Sequence, residues 1–98
     1  MISLPWLRLW WTVYNKQVFN GELTQLPILL VDLEHYGETD GLYIGISSRI
    51  TSPEVAKATL LHEMIHQYQF STGKPMEHDD LFDTWAGLIE TKYNMEVR

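Results

Sequence analysis

The chemistry available to this chain centres on His62, Glu63 and His66. They lie in LLHEMIHQYQF, Leu60 to Phe70, where two imidazoles stand four residues apart and a carboxylate directly follows the first. On an α-helix that spacing puts both rings on one face, one turn apart, close enough to grip a single metal ion. Glu63 points about 100° round from His62, as any next residue on a helix does. It can therefore sit beside the metal without ligating it and serve as base for a metal-activated water. The plainer alternative is a surface helix carrying two histidines. Apolar residues on both sides of the motif favour a packed helix instead, and a buried histidine pair needs partners for its ring nitrogens.

The chain has no cysteine, so any metal is held by histidines and carboxylates. A catalytic zinc site wants three protein ligands and one open position. His78 is the first candidate for the third ligand, because a helix end and a loop after His66 let the chain fold back and deliver it. Glu90, in the following helical run, is a second candidate and otherwise a solvated carboxylate. His35, after a strand, is a third and otherwise a surface loop residue.

The elements that must position these groups are readable in order. From Pro5 to Phe19 the spacing is helical, with Ser3 as cap and Pro5 in the first turn. Trp6, Leu9, Trp10, Val13 and Val18 mark its apolar side, widened by Leu7, Trp11 and Tyr14. Asn20-Gly21 stops it. Ile28 to Leu33 is a strand. Gly37 to Gly41 (GETDG) reads as a turn, and Leu42 to Ser47 as a second strand with one face on the core and the other open. Gly45 leaves that open face clear for a ligand. The central helix starts at Thr51-Ser52-Pro53-Glu54, through a Thr51/Glu54 capping box or with Ser52 as cap and Pro53 at the first position, and runs to about Ser71. A third helix runs from Leu81 to about Asn94, capped by Asp79 or Asp80, with Phe82, Trp85, Ala86, Ile89 and Tyr93 on its apolar side. Met95 to Arg98 should fray. The expected class is α+β, with residues 1–98 forming one domain: N-terminal helix, short sheet or hairpin, central helix, C-terminal helix.

Composition excludes several functions. Seven basic residues against thirteen acidic ones, a formal charge of -6, offer no footprint for nucleic acid. The start MISLPWLRLWWTVY is interrupted by Arg8 and too short to span a bilayer, so neither a signal peptide nor a membrane anchor is expected.

The ensemble resembles the SprT-like (Spartan-related) family of minimal zinc metalloproteases. The resemblance is carried by Phe19-Asn20-Gly21-Glu22-Leu23, by HEMIH at His62 to His66 and by HDDLF at His78 to Phe82. It implies a zincin-like fold, Zn2+ held by His62, His66 and His78, Glu63 as catalytic base and Phe82 as a core aromatic. It also implies a stand-alone, cytoplasmic enzyme of bacterial or phage origin. Asp79 replaces the family's glycine after the third histidine, and the Cys-dependent tail of many relatives is absent in its usual form.

The expected activity is hydrolysis of peptide bonds in a protein substrate, by metal-activated water with Glu63 as general base. The substrate would add as a strand to Leu42–Ser47, and Tyr36, Tyr43 and Tyr68 are the candidate oxyanion donors. The competing expectation is a catalytically weak, metal-containing protein-binding module on the same scaffold.

Overall fold

Local chemistry at Ser3 and Pro5 sets the start of the first helix. The Ser3 hydroxyl accepts the Trp6 N–H at 3.3 Å, and Pro5 occupies the first turn, where a missing N–H costs nothing. The computed structural model describes residues 2–98. In it, α1 spans Leu4–Val18 and buries Leu7, Trp11 and Tyr14, at i, i+4 and i+7. The apolar side is thus rotated from the one centred on Trp6, Leu9, Trp10 and Val13. Leu9 is exposed, and the Lys57 ammonium covers the Trp10 ring at 3.9 Å. That cation–π cover lets a large indole rest near the surface.

Side chains in the middle and last turn of α1 lock it to the rest of the fold. Asn15 bonds both the N–H and the carbonyl of Leu23 at 3.0 Å, closing the turn through Asn20 and Gly21, both at positive φ. The Trp11 indole donates to Gln67 Oε1 at 3.2 Å, and the Gln67 amide donates to the Thr24 carbonyl at 2.6 Å.

The sheet has three strands: β1 (Ile28–Val31), β2 (Gly37–Thr39) and β3 (Ile44–Ser47), in the order β1-β3-β2. β1 runs parallel to β3, with Ile28 opposite Ile44 and Val31 opposite Ser47. β2 runs antiparallel to β3, with Gly37 opposite Ile46 and Thr39 opposite Ile44.

The sheet departs from the sequence expectation in three ways. GETDG is not all turn: its first three residues form β2, because pairing along β3 overrides the turn chemistry of Gly and Asp. β3 begins at Ile44 and not at Leu42, which is exposed, and all four of its residues are buried. The face that carries Gly45, expected to be open, is covered by the side chains of Glu38 and Tyr43. Gly45 accordingly makes room for its cross-strand neighbour, since a Cβ there would stand 3.0 Å from Glu38 Cγ.

The central helix α2 (Pro53–Ser71) packs against α1, β2, β3 and the third helix, α3 (Asp80–Tyr93). Ser52 caps α2, accepting the Val55 N–H at 3.3 Å, so the Ser52/Pro53 start holds rather than a Thr51/Glu54 box. Burial nearly all round its girth explains why its sequence shows little one-sided periodicity. Asp79 caps α3, its Oδ1 accepting the Phe82 N–H at 3.1 Å. Leu60, Leu61, Met64 and Ile65 of α2 form the core with Ile44 and Ile46 of the sheet and Phe82 and Ile89 of α3.

Met95–Arg98, expected to fray, is docked. Val97 is only 4% exposed, and its N–H donates to Glu90 Oε2 at 3.0 Å. Among the described residues, no helix is long and apolar enough to cross a membrane.

Candidate metal centre

His62 and His66 project from the same face of α2, and His78 arrives from the loop just before α3. The His78 Nε2 lies 3.2 Å from His62 Nε2 and 3.3 Å from His66 Nε2. His66 is buried, His62 half-buried and His78 exposed, so the cluster opens to solvent on one side. Phe82, fully buried in the first turn of α3, packs on all three rings, with centroid separations of 4.9 Å to His62, 5.0 Å to His66 and 4.7 Å to His78.

The opposite ring nitrogens settle the tautomers. His62 Nδ1 lies 2.6 Å from the Val97 carbonyl oxygen, which only accepts, so Nδ1 carries the proton. His66 Nδ1 lies 2.7 Å from Gln69 Oε1. The Gln69 amide donates to the Glu77 carbonyl at 2.8 Å and to Asp79 Oδ1 at 3.3 Å, which fixes its orientation and makes Oε1 the acceptor. Both histidines therefore turn an unprotonated Nε2 toward His78. Burial holds His62 below the usual imidazole range, and repulsion from His66 and His78 adds to it. Burial does the same for His66. Neutral rings are the ligand form.

This donor set fits a metal. His78 Nε2 has one position for a proton and two lone pairs facing it, so a cation satisfies the cluster better than a hydrogen bond can. Two imidazole nitrogens at about 2.0–2.1 Å from a tetrahedral zinc stand about 3.3 Å apart. The observed 3.2 and 3.3 Å match that spacing.

Glu63 is 5% exposed. Burial, with the charge of Glu38 adding, pushes its carboxyl up to about 7. β2 passes directly beside it, since a Cβ on Gly37 would stand 3.1 Å from Glu63 Oε2. A cavity of about 550 Å³ borders His62 and Glu63, lined also by Tyr36, Gly37, Val55, Ala58 and Met95.

A family model described as SprT-like family matches residues 7–98. The chain belongs to the SprT-like family. No curated protein and no solved structure matches it. On this SprT-like scaffold, the clustered His62, Glu63, His66 and His78 are consistent with a zinc-dependent metalloendopeptidase active site and support zinc metallopeptidase activity. The α+β arrangement of N-terminal helix, short mixed sheet, central HExxH helix and C-terminal helix matches the sequence expectation.

The other candidates fall elsewhere. Glu90 stands outside the histidine cluster; the Arg98 guanidinium, and after it the Val97 N–H, hold its carboxyl below the usual range. His35 is exposed, 3.7 Å from Glu38 Oε1. Neither Asp79 nor Asp80 bonds a histidine directly; Asp79 acts through Gln69. Of the three tyrosines, Tyr68 packs against Phe19 and Trp85, and Tyr43 donates to Glu38, which pushes its phenol up to about 12. Tyr36 alone of the three lines the cavity. Sequence reasoning missed Gln69 and Val97. Gln69 carried a usable signal, three residues after His66 on the same helix face. Val97 carried none, because it acts through a backbone carbonyl 35 residues from His62.

Proposed function

We propose that His62, His66 and His78 are the zinc ligands and Glu63 the general base of an endopeptidase acting on protein or peptide substrates. The observation that carries this reading is the convergence of three Nε2 atoms at 3.2 and 3.3 Å beside a buried carboxylate. Zinc, when bound, supplies Lewis-acid chemistry, raising the acidity of water and polarising a peptide carbonyl. Glu63 takes the proton of the attacking water and returns it to the leaving amine. Its elevated pKa suits both transfers near neutral pH.

Substrate cannot add to β3 as expected from sequence, because β1 and β2 occupy both of its edges. β1 and β2 are the edge strands, and β2 is the one that lies beside Glu63. The Tyr36 carbonyl accepts the Ser47 N–H at 2.8 Å, which makes Tyr36/Ser47 and Glu38/Gly45 the hydrogen-bonded pairs. The N–H and carbonyl groups of Gly37 and Thr39 then point outward, beside Glu63. An extended peptide pairing there would present its backbone to the histidine cluster. Tyr36, on the cavity wall, is the tyrosine available to donate to the oxyanion.

The acidic charge argues against strong nucleic-acid binding. A cytoplasmic location in a bacterium or a phage-infected cell, which follows the sequence resemblance, and a single domain over residues 1–98, which follows the chain's size, complete the reading. The test is cleavage of an unfolded protein, which should stop on chelation, return with zinc, and be absent in Glu63→Gln. Zinc and peptide binding without cleavage would sink the enzyme reading in favour of a binding module.

A further inference from the structure

We infer that Glu90 is a positioning residue for His62, acting through the strap Met95–Arg98; the inference rests on the reading of His62 as a zinc ligand. The connection is continuous. Glu90 Oε2 accepts the Val97 N–H at 3.0 Å, and Glu90 Oε1 accepts from Arg98 Nη2 at 2.9 Å and Arg98 Nε at 3.1 Å. Asp83 Oδ1 takes a further contact from Arg98 Nη1 at 3.4 Å. One carboxylate on α3 thus grips two successive residues of the strap. The carbonyl of the gripped Val97 meets His62 Nδ1 at 2.6 Å.

The strap makes no ladder with the sheet, whose three strands end at Ser47, and belongs to no helix. Its hold on the fold is the Glu90 clamp and the Asp83 contact, together with the buried Val97 side chain and a partly buried Met95 packed on the core. Without the clamp's hydrogen bonds, an irregular segment with no ladder or helix of its own opens locally more often. When it opens, His62 loses the acceptor for Nδ1–H. The ring can then turn, or move its proton to Nε2, the nitrogen that faces His66 and His78. Hydrogen bonding at the far nitrogen of a liganding histidine fixes its tautomer and strengthens it as a ligand. His66 has its own support in Gln69, which the strap does not touch. Met95 and Val97 also line the cavity beside Glu63, so the same clamp holds that wall in place.

The test combines zinc titration with imidazole 15N spectra of the metal-free protein. Glu90→Ala should weaken zinc binding roughly 10–100-fold, as loss of such support does elsewhere. It should move His62 from a single Nδ1–H tautomer to a mixture while leaving His66 unchanged. Glu90→Gln keeps an oxygen for the Val97 N–H and should restore both affinity and tautomer. Glu90→Asp cannot reach and should behave as Ala; it decides the matter if Glu90→Ala fails to fold. His62→Ala separates the two readings. If it keeps wild-type zinc affinity, the ligand assignment itself fails. If it loses zinc while Glu90→Ala and Glu90→Asp keep both affinity and the Nδ1–H tautomer, the positioning inference alone is overturned.

Discussion

Gly37 and Glu63 approach so closely that no side chain fits between them. A Cβ on Gly37 would stand 3.1 Å from Glu63 Oε2, 2.8 Å from Thr59 Cγ2 and 3.0 Å from the Gly45 carbonyl oxygen. Two of those three neighbours cannot retreat cheaply: one is backbone of the central strand, the other a methyl on α2. The edge strand therefore lies directly on α2, and its backbone is held in register with Glu63.

Gly37→Ala should consequently lose both stability and activity. Overpacking of this kind costs about 1–3 kcal/mol. An ångström-scale shift of β2 or Glu63 should lower peptide hydrolysis by up to about 10²-fold. Urea unfolding and a cleavage assay on the same sample check the two together. An alanine variant as stable and as active as wild type would show that the close approach constrains neither.

Glu63 should make the metal-free protein less stable as pH rises. Its carboxyl titrates at about 7 in the fold against an ordinary value of 4.5. Between those values the folded state holds a proton that the unfolded chain has released, so unfolding free energy falls with rising pH and levels off above about 7. His62 and His66, both depressed, act in the opposite sense, adding stability as pH rises toward the usual imidazole range. Comparing wild type with Glu63→Gln isolates the carboxyl. With chelator present, Glu63→Gln should be the more stable protein at pH 8, by about 1–3 kcal/mol. The advantage should vanish near pH 4. A difference independent of pH would contradict the buried, elevated carboxyl.

Much of this arrangement was legible in the sequence, for identifiable reasons. The i, i+4 histidines, the Ser52-Pro53 and Asp79 helix starts, and the Asn20-Gly21 stop are local signals whose chemistry acts within one turn. His78 was legible because its loop has few ways to return to α2. What failed was non-local. β2 was hidden under the turn-forming residues of GETDG, since its strand character comes from β3 and α2 rather than from its own side chains. Burial of both faces of β3 depends on a third strand that the sequence did not announce. The strap looked like a loose end because the Glu90–Val97–His62 connection joins residues that share no periodicity.

Gln69 is the support for His66, and its loss should be felt at the metal. It is fully buried, and its amide satisfies His66 Nδ1, the Glu77 carbonyl and Asp79 together. Gln69→Leu keeps approximate volume and removes all three bonds. Zinc affinity should fall roughly 10–100-fold. The unpaired Nδ1–H of the buried His66 should cost about 1–3 kcal/mol of stability in chelator. Competition titration and thermal melts measure the two effects, and unchanged zinc affinity would show that His66 needs no such partner.

His78 and Asp79 are neighbours with different expected consequences. His78 contributes the only donor of the cluster that does not come from α2, so a bound metal ties the loop before α3 to the central helix. His78→Ala should weaken zinc binding by orders of magnitude. Asp79 caps α3 and receives one of two Gln69 amide bonds, the longer one at 3.3 Å. Glycine at a helix cap costs only a few tenths of a kcal/mol relative to the preferred residues. The Glu77 carbonyl would still hold Gln69 at 2.8 Å. Asp79→Gly should therefore bind zinc within roughly 10-fold of wild type, below the loss seen when a histidine's own partner is removed. Hydrogen exchange provides an independent readout, because local opening is most frequent where few contacts hold the chain. Adding zinc to wild type should slow exchange across residues 74–82 first, and adding it to His78→Ala should leave that segment unprotected. Equal protection in both proteins, or wild-type affinity in His78→Ala, would mean that the third ligand lies elsewhere.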